Sequence, residues 1–284
     1  MRRFYRIAGL NFCVSAPEGE GYEEDGLLAS FQTEPTAQYR EIRLCLQERL
    51  DPPEGEAWVT ADGLRVYRQE QGLVCYYGCY DGDWETGYLR LARNQHDTCA
   101  QLRRENARFC LSPGIALEAM ELQHHLVQHG GFLLHASYID VSGEAILFTA
   151  PSGTGKSTQA SLWCDLRGAE LINGDRAAVM LGETGACACG VPYSGSSQVR
   201  KNVTRPLKAV VVLSQAQETT IHRMEGMAAF RKIWEGCSVN TWDPADMNLC
   251  AQAVMDMLRH VPVYHLACTP DESAVRILEE ALGK

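Results

Sequence analysis

Residues 145–163, AILFTAPSGTGKSTQASLW, constrain this chain more than any other stretch. An apolar, strand-like run meets a glycine-rich turn, and a helix opens at Ser157. This is the strand–loop–helix setting in which a phosphate-binding loop works. Small residues let the turn wrap an oxyanion closely, with backbone N–H groups pointing into the concavity. The helix that follows adds the positive end of its dipole. The pattern G-x-x-x-x-G-K-[ST] asks for glycine where this chain has Ala150, whereas Ser152, Gly153, Thr154, Gly155, Lys156, Ser157 and Thr158 are in place. The stretch therefore reads as a nucleotide-phosphate loop with a modified first turn. Lys156 is expected to reach the β- and γ-phosphates and the Ser157 hydroxyl to sit on Mg²⁺.

A loop of this kind needs a fold to hold it, and 284 residues suffice for one large α/β domain or two smaller ones. Charged residues make up 22% of the chain and the net charge is −10, with a pI near 5.3. That balance argues against nucleic acid as the main partner, because phosphate backbones call for clustered Lys and Arg. A polyanion must be held by a local site instead. The twelve cysteines include no C-x-x-C pair, so a zinc site is not expected. The N-terminus MRRFYRIAGL lacks the apolar core of a signal peptide, and no run approaches the ~18 apolar residues of a membrane span. A cytoplasmic protein with free thiols and no membrane partner is the expectation.

Along the chain, residues 4–16 read as an opening strand and 17–26 as a solvated acidic turn region. Residues 41–50 read as a strand stopped by Asp51-Pro52-Pro53. Asp62-Gly63 between two β-like runs is the strongest hairpin signal, and 73–80 and 85–93 continue it around the DGDW turn. The first 93 residues are thus expected to form an antiparallel meander. Ser112-Pro113 starts a helix with Ile115, Ala119, Leu122 and Leu126 on one face, ended by Gly130-Gly131. His125 and His129, four residues apart, are assigned to its polar side rather than to a metal. From 132 onward strands and helices alternate. Strands are read at 132–141, 145–150 and 261–268, and a strand pair or bent strand at 169–181. The apolar run 207–215 suits a strand buried on both faces, and helices are read at 226–236, 244–260 and 270–283. The expected division is a β-rich accessory or substrate-recognition region at 1–111 and a nucleotide-binding domain at 112–284.

Phosphoryl transfer needs more than the loop: a carboxylate to hold the metal, and a group to orient or deprotonate the acceptor. Asp175 in LINGDRAAV follows an apolar strand, 19 residues after Lys156, a separation that one helix and a return strand span. His135 in LLHASYI precedes Lys156 by 21 residues, one hairpin away. On pattern alone, a histidine inside an apolar strand reads first as a hydrogen-bonded core residue. Arg200, Lys201, Arg205 and Lys208 form the densest basic segment and are candidates for substrate or γ-phosphate. A solvated loop explains them as well.

The order HAS, hairpin, PSGTGKST, helix, GDR, across residues 132–215, resembles the superfamily of HPr kinase/phosphorylase and ATP-dependent phosphoenolpyruvate carboxykinase. GVPYSGSS followed by RPLKAVVVLSQ is similar to the continuation in its kinase members. The resemblance implies an α+β or α/β fold with a mixed sheet in the P-loop domain, and ATP and Mg²⁺ as cofactors. Lys156 and Ser157 would bind phosphate and metal, Asp175 would coordinate the metal, and His135 would support the metal or acceptor site. It further implies phosphorylation of a hydroxyl, serine above all, on a protein, peptide or small molecule. A ribosomal peptide precursor fits, because related members serve in peptide-modification pathways.

One departure stands out. Where the kinases carry Asp-Asp-Arg, this chain has Gly174-Asp175-Arg176, so the aspartate thought to act as acceptor base is missing. General-base help is worth roughly 10²- to 10⁴-fold, so its loss weakens an enzyme without abolishing it. Two expectations follow: a kinase in which His135, Asp175 or a base from elsewhere assists deprotonation, or a weakened ATP-binding partner that switches or scaffolds a modification complex. No LSGGQ-like or NKxD-type motif supports a transport ATPase or a guanine-reading switch. The acceptor's identity and self-association stay open.

Overall fold

Alternating and continuous apolar patterns sort the chain into two kinds of sheet. The computed structural model describes residues 1–17, 26–70, 72–80, 84–94, 96–106, 112–183 and 185–283. Most of the acidic run at 17–26 and the Asp81–Asp83 part of the DGDW turn lie outside them. The chain is a mixed α+β protein of two compact units, Met1–Glu121 and Leu122–Lys284. Among the described residues, no helix is long and apolar enough to cross a membrane, and every described cysteine is a free thiol.

The first unit is β-rich. Its strands are β1 (Arg2–Ile7), β2 (Leu10–Ser15), β3 (Arg40–Gln47), β4 (Val59–Ala61), β5 (Gly63–Gln69), β6 (Gly72–Cys79), β7 (Leu89–Arg93) and β8 (Asp97–Arg103). They form one sheet in the order β1-β2-β3-β8-β7-β6-β5-β4. The expected hairpin at Asp62-Gly63 is present, with Gly63 at φ 71°. The single opening strand at 4–16 is instead a hairpin. Ala8 and Gly9 both take positive φ (51° and 83°), the twist that a two-residue β-turn needs. Nor is the sheet a pure antiparallel meander: β2–β3 and β3–β8 run parallel. The intervening chain lets β8 return beside β3, a long-range pairing that local pattern does not reveal.

The helix expected across 113–129 is two helices, α1 (Pro113–Ala119) and α2 (Leu122–Gln128). Glu121 breaks it at φ 43°, and its carboxylate is buried 3.1 Å from Arg93 Nη1. The break resets the helical phase, so His125 is buried rather than on a polar side. His129 Nδ1 lies 2.7 Å from the His125 carbonyl oxygen, one turn back along its own helix.

The second unit contains β9 (Gly131–Val141), β10 (Glu144–Thr149), α3 (Lys156–Arg167), β11 (Glu170–Asn173), β12 (Arg176–Gly182), β13 (Gly185–Gly190), β14 (Thr204–Gln215), β15 (Thr220–Met224), α4 (Gly226–Trp234), β16 (Cys237–Ser238), α5 (Pro244–His260), β17 (Val263–Cys268) and α6 (Glu272–Ala281). The path is β10-β9-β12-β13-β14-β17-β15, and β10 also pairs with β14, closing a ring of pairings. The loop strand β10 lies antiparallel to β9 and parallel to β14, which is parallel to β17. Its residues alternate between two cores. Ala145 and Leu147 join the one covered by α2, α4 and α5, whereas Ile146 and Phe148 join the one under α3 and α6, around Trp163. With both faces covered, β10 and β14 read as continuous apolar runs.

At the α2–α5 junction the Asp246 carboxylate is 1% exposed and sits 2.9 Å from His124 Nδ1. It also accepts bonds from Gln128 Nε2 and Asn240 Nδ2 at 3.3 and 3.0 Å. Deleting a buried acceptor and leaving its donors unpaired costs about 1–3 kcal/mol. Asp246→Ala is therefore expected to lower the stability of the Leu122–Lys284 unit by about that amount. Urea unfolding of wild type and variant, followed by circular dichroism, measures it.

Candidate phosphate-loop site

The loop leaves β10 at Thr149 and enters α3 at Lys156. Gly153 and Gly155 adopt positive φ (78° and 116°), and a side chain at either would meet no neighbour, so conformation alone calls for glycine there. Ala150 has no positive φ, so the position where the motif asks for glycine tolerates a methyl group. Ser152, Gly153, Ser157 and Thr158 are exposed, and Thr154 and Gly155 are half-buried. Lys156 is buried, and its Nζ donates to the Ala150 carbonyl at 2.9 Å and to that of Pro151 at 3.4 Å. Burial pushes its pKa down, against the pull of Asp175. An ammonium parked on two loop carbonyls is poised to exchange them for stronger anionic acceptors.

His135 comes from β9, and its register partner on β12 is Arg176. Its Nδ1 lies 3.5 Å from Asp175 Oδ1, while Arg176 Nε lies 3.4 Å from Oδ2. Burial foremost, then the charge of Lys156, lowers the His135 pKa, and Asp175 opposes both. The structure thus gathers Lys156, His135 and Asp175 around the loop. The fixing element is Asn173, which is fully buried. Its Oδ1 accepts from the Asp175 and Arg176 amides at 2.8 and 3.0 Å. Its Nδ2 donates to the Val191 and Tyr193 carbonyls at 2.9 and 2.7 Å. The Asp175 carbonyl accepts from Ala136 N, and Gly174 O accepts from Ser137 Oγ, so the turn is tied to β9.

The basic segment is not brought to the loop. Arg205 Nε pairs with Asp140 Oδ2 at 2.6 Å, at the end of β9 away from His135. Lys201 Nζ reaches Glu170 at 2.6 Å, and Lys208 lies 3.4 Å from Glu144. Arg200 Nη1 donates to Ser194 Oγ at 2.6 Å, within the loop that packs over Asp175.

A cleft of about 840 Å³ opens beside residues 149–154. Its walls include His135 and Arg176, and four groups with no sequence motif to announce them: Ser214, His265, Lys232 and Glu235. The parallel pairing Val212↔His265 brings the first two together, with Ser214 Oγ 3.0 Å from His265 Nε2. Burial, then His222 and Lys232, keep the His265 pKa below its usual value. A histidine within the apolar strand VPVYHLAC was the sole sequence signal for this pair.

The sequence profile of the ScmC family, described as SynChlorMet cassette protein ScmC, matches residues 114–278, more than half of the chain. The chain belongs to the ScmC family. The matched segment takes in the loop, His135, Asp175 and His265, so the ScmC profile spans every group gathered at the site. No curated protein matches the chain. Among solved structures it is similar to the Hpr(Ser) kinase/phosphatase from Coxiella burnetii, at 10% identity and a TM-score of 0.30, over 52% of this chain and 95% of that one.

Gly174 is set by space. A Cβ there would clash with Ser197 Oγ and lie 2.9 Å from Ser197 Cβ. Gly174→Asp alone is expected to cost about 1–3 kcal/mol through overpacking. Pairing it with Ser197→Gly should recover most of that loss, as read by thermal denaturation of the two variants.

Proposed function

We propose that this ScmC-family chain is an ATP- and Mg²⁺-dependent phosphotransferase of the cytoplasm. It transfers the γ-phosphoryl group to a hydroxyl, serine above all, of a protein, peptide or small molecule, with a ribosomal peptide precursor as the acceptor that fits best. The observation that carries the reading is the convergence of the 150–158 loop with Asp175 and His135, which adjoining strands hold in fixed register.

The residues present suit Mg²⁺. Asp175 offers one carboxylate, 26% exposed, and Ser157 one exposed hydroxyl. Among the described residues, no cluster of three or more His, Cys, Asp and Glu forms a protein cage. One carboxylate with a hydroxyl, the rest left to water and phosphate oxygens, is how Mg²⁺ is commonly held at nucleotide sites. When bound, the ion would neutralise charge on the β- and γ-phosphate oxygens. Lys156 and the loop N–H groups then orient the phosphates, and Arg176 adds a second cation beside Asp175. The cleft lined by His135, Ser214 and His265 receives the acceptor. His135 or His265, both kept toward the neutral form by burial, takes the hydroxyl proton.

A second reading draws on Gly174 and Ser197. The place of a second carboxylate is filled by another side chain, which suits a nucleotide-binding partner with weak transfer. Isothermal titration with ATP, with and without Mg²⁺, and transfer of radiolabelled γ-phosphate to candidate peptides separate the two. For the kinase, Lys156→Ala should weaken ATP binding about 10- to 100-fold. Asp175→Asn should cut transfer at least ~10²-fold while Mg²⁺-free binding persists. Binding without transfer to any acceptor supports the partner reading, and no binding at all removes both.

A further inference from the structure

A second cavity, of about 390 Å³, adjoins the loop, and His135 is not among its lining residues. Its size falls in the range of small-ligand sites, ~300–1,000 Å³. It is bounded by Gly153–Gly155, the first turn of α3 (Thr158, Gln159) and the C-terminal ends of β14 and β17 (Ala216, Cys268). Ligands of open parallel sheets bind in the crevice outside such strand ends. The two cavities share Gly153, Thr154, Leu213 and Gln215, so a ligand with its phosphates on the loop can extend into either.

Their chemistry differs. The larger cleft carries His135, Arg176, Lys232, Glu235 and His265. The smaller is lined by neutral groups, with Cys268 held protonated by burial. It suits an uncharged heterocycle rather than an acceptor in need of a base. Gln159 on its wall is only 3% exposed. The Gln159 amide is half used: Nε2 points to Cys268 Sγ at 3.6 Å, a weak acceptor, and Oε1 meets no donor among the described residues. A buried acceptor without a donor is costly to leave unmade.

We infer that this cavity takes the nucleobase of the bound nucleotide and that Gln159 selects adenine over guanine. The inference rests on the nucleotide-binding reading above. The free group is an acceptor, so the base must present a donor. Adenine offers its exocyclic amine beside a ring nitrogen, the edge that a glutamine amide matches, whereas guanine places a carbonyl oxygen there.

Equilibrium binding of ATP, GTP and inorganic tripolyphosphate to the full chain and to Gln159→Met tests this. The wild type should bind ATP about tenfold more tightly than GTP. Gln159→Met should lower the ATP affinity to that of GTP and leave tripolyphosphate binding unchanged. Equal ATP and GTP affinities in the wild type overturn the inference while leaving the phosphate-loop reading intact, and that measurement needs no folded variant. A Gln159→Met variant that keeps the ATP preference, or weakens tripolyphosphate equally, also overturns it. Failure of all three ligands to bind overturns both this inference and the nucleotide reading.

Discussion

The buried amide of Asn173 governs the geometry on which the rest of the site depends. Its four hydrogen bonds join the Asp175-Arg176 amides to the carbonyls of Val191 and Tyr193. Three chain segments are thereby fixed together: the end of β11, the start of β12 and the connection after β13. Because Ala136 N bonds the Asp175 carbonyl, that assembly is keyed to β9, and β9 is keyed to the loop strand β10 by direct pairing. The distance from the Asp175 carboxylate to the 150–158 loop is therefore set by sheet register rather than by flexible side chains. The same packing explains residue 174. The connection after β13 folds back over the turn until Ser197 occupies the space of a Gly174 side chain, and a Cβ on Gly195 would press on Asp175 at 3.2 Å. The glycine at 174 and the close-lying loop are one structural feature.

Charge at the site runs against the charge of the chain. The protein carries −10 overall, yet Lys156, Arg176 and Lys232 border the loop and its cleft. Much of the basic run at 200–208 is consumed by pairing with Asp140, Glu144 and Glu170. Local cations in an acidic surround act at short range, since charges separated by more than about 10 Å are screened at ordinary salt. A ligand held this way is bound by contact geometry, and general attraction adds little.

How much of this was legible in the sequence follows from the range of each interaction. The loop, the Asp62-Gly63 hairpin and the buried strand within 204–215 are set by neighbours a few residues apart, and local pattern carries them. Asp175 and His135 were reachable because a hairpin and a single helix separate them from Lys156. The parallel β2–β3–β8 pairing was not, since it joins segments far apart in the chain (Glu41 to Asp97 is 56 residues, Phe12 to Arg40 is 28). His125 was misplaced for a different reason. Helical periodicity counted across Glu121 keeps one phase, whereas the left-handed residue there starts a new one. His265 and Ser214 belong to no motif, and only the parallel register of β14 with β17 makes them neighbours.

That register bears on the chemistry the larger cleft could support. An acceptor in the larger cleft would face two imidazoles. His135 stands beside Asp175, so its protonation is tied to whatever the carboxylate holds. His265 is bonded to a serine hydroxyl and lies near His222 and Lys232, both of which disfavour its charged form. A base must be neutral before it can take a proton, and at neutral pH burial and these neighbours keep His265 so. On the proposed reading, Ser197 fills the space where a second carboxylate would stand, and β14 and β17 bring to the cleft an imidazole already in the protonation state that proton abstraction requires.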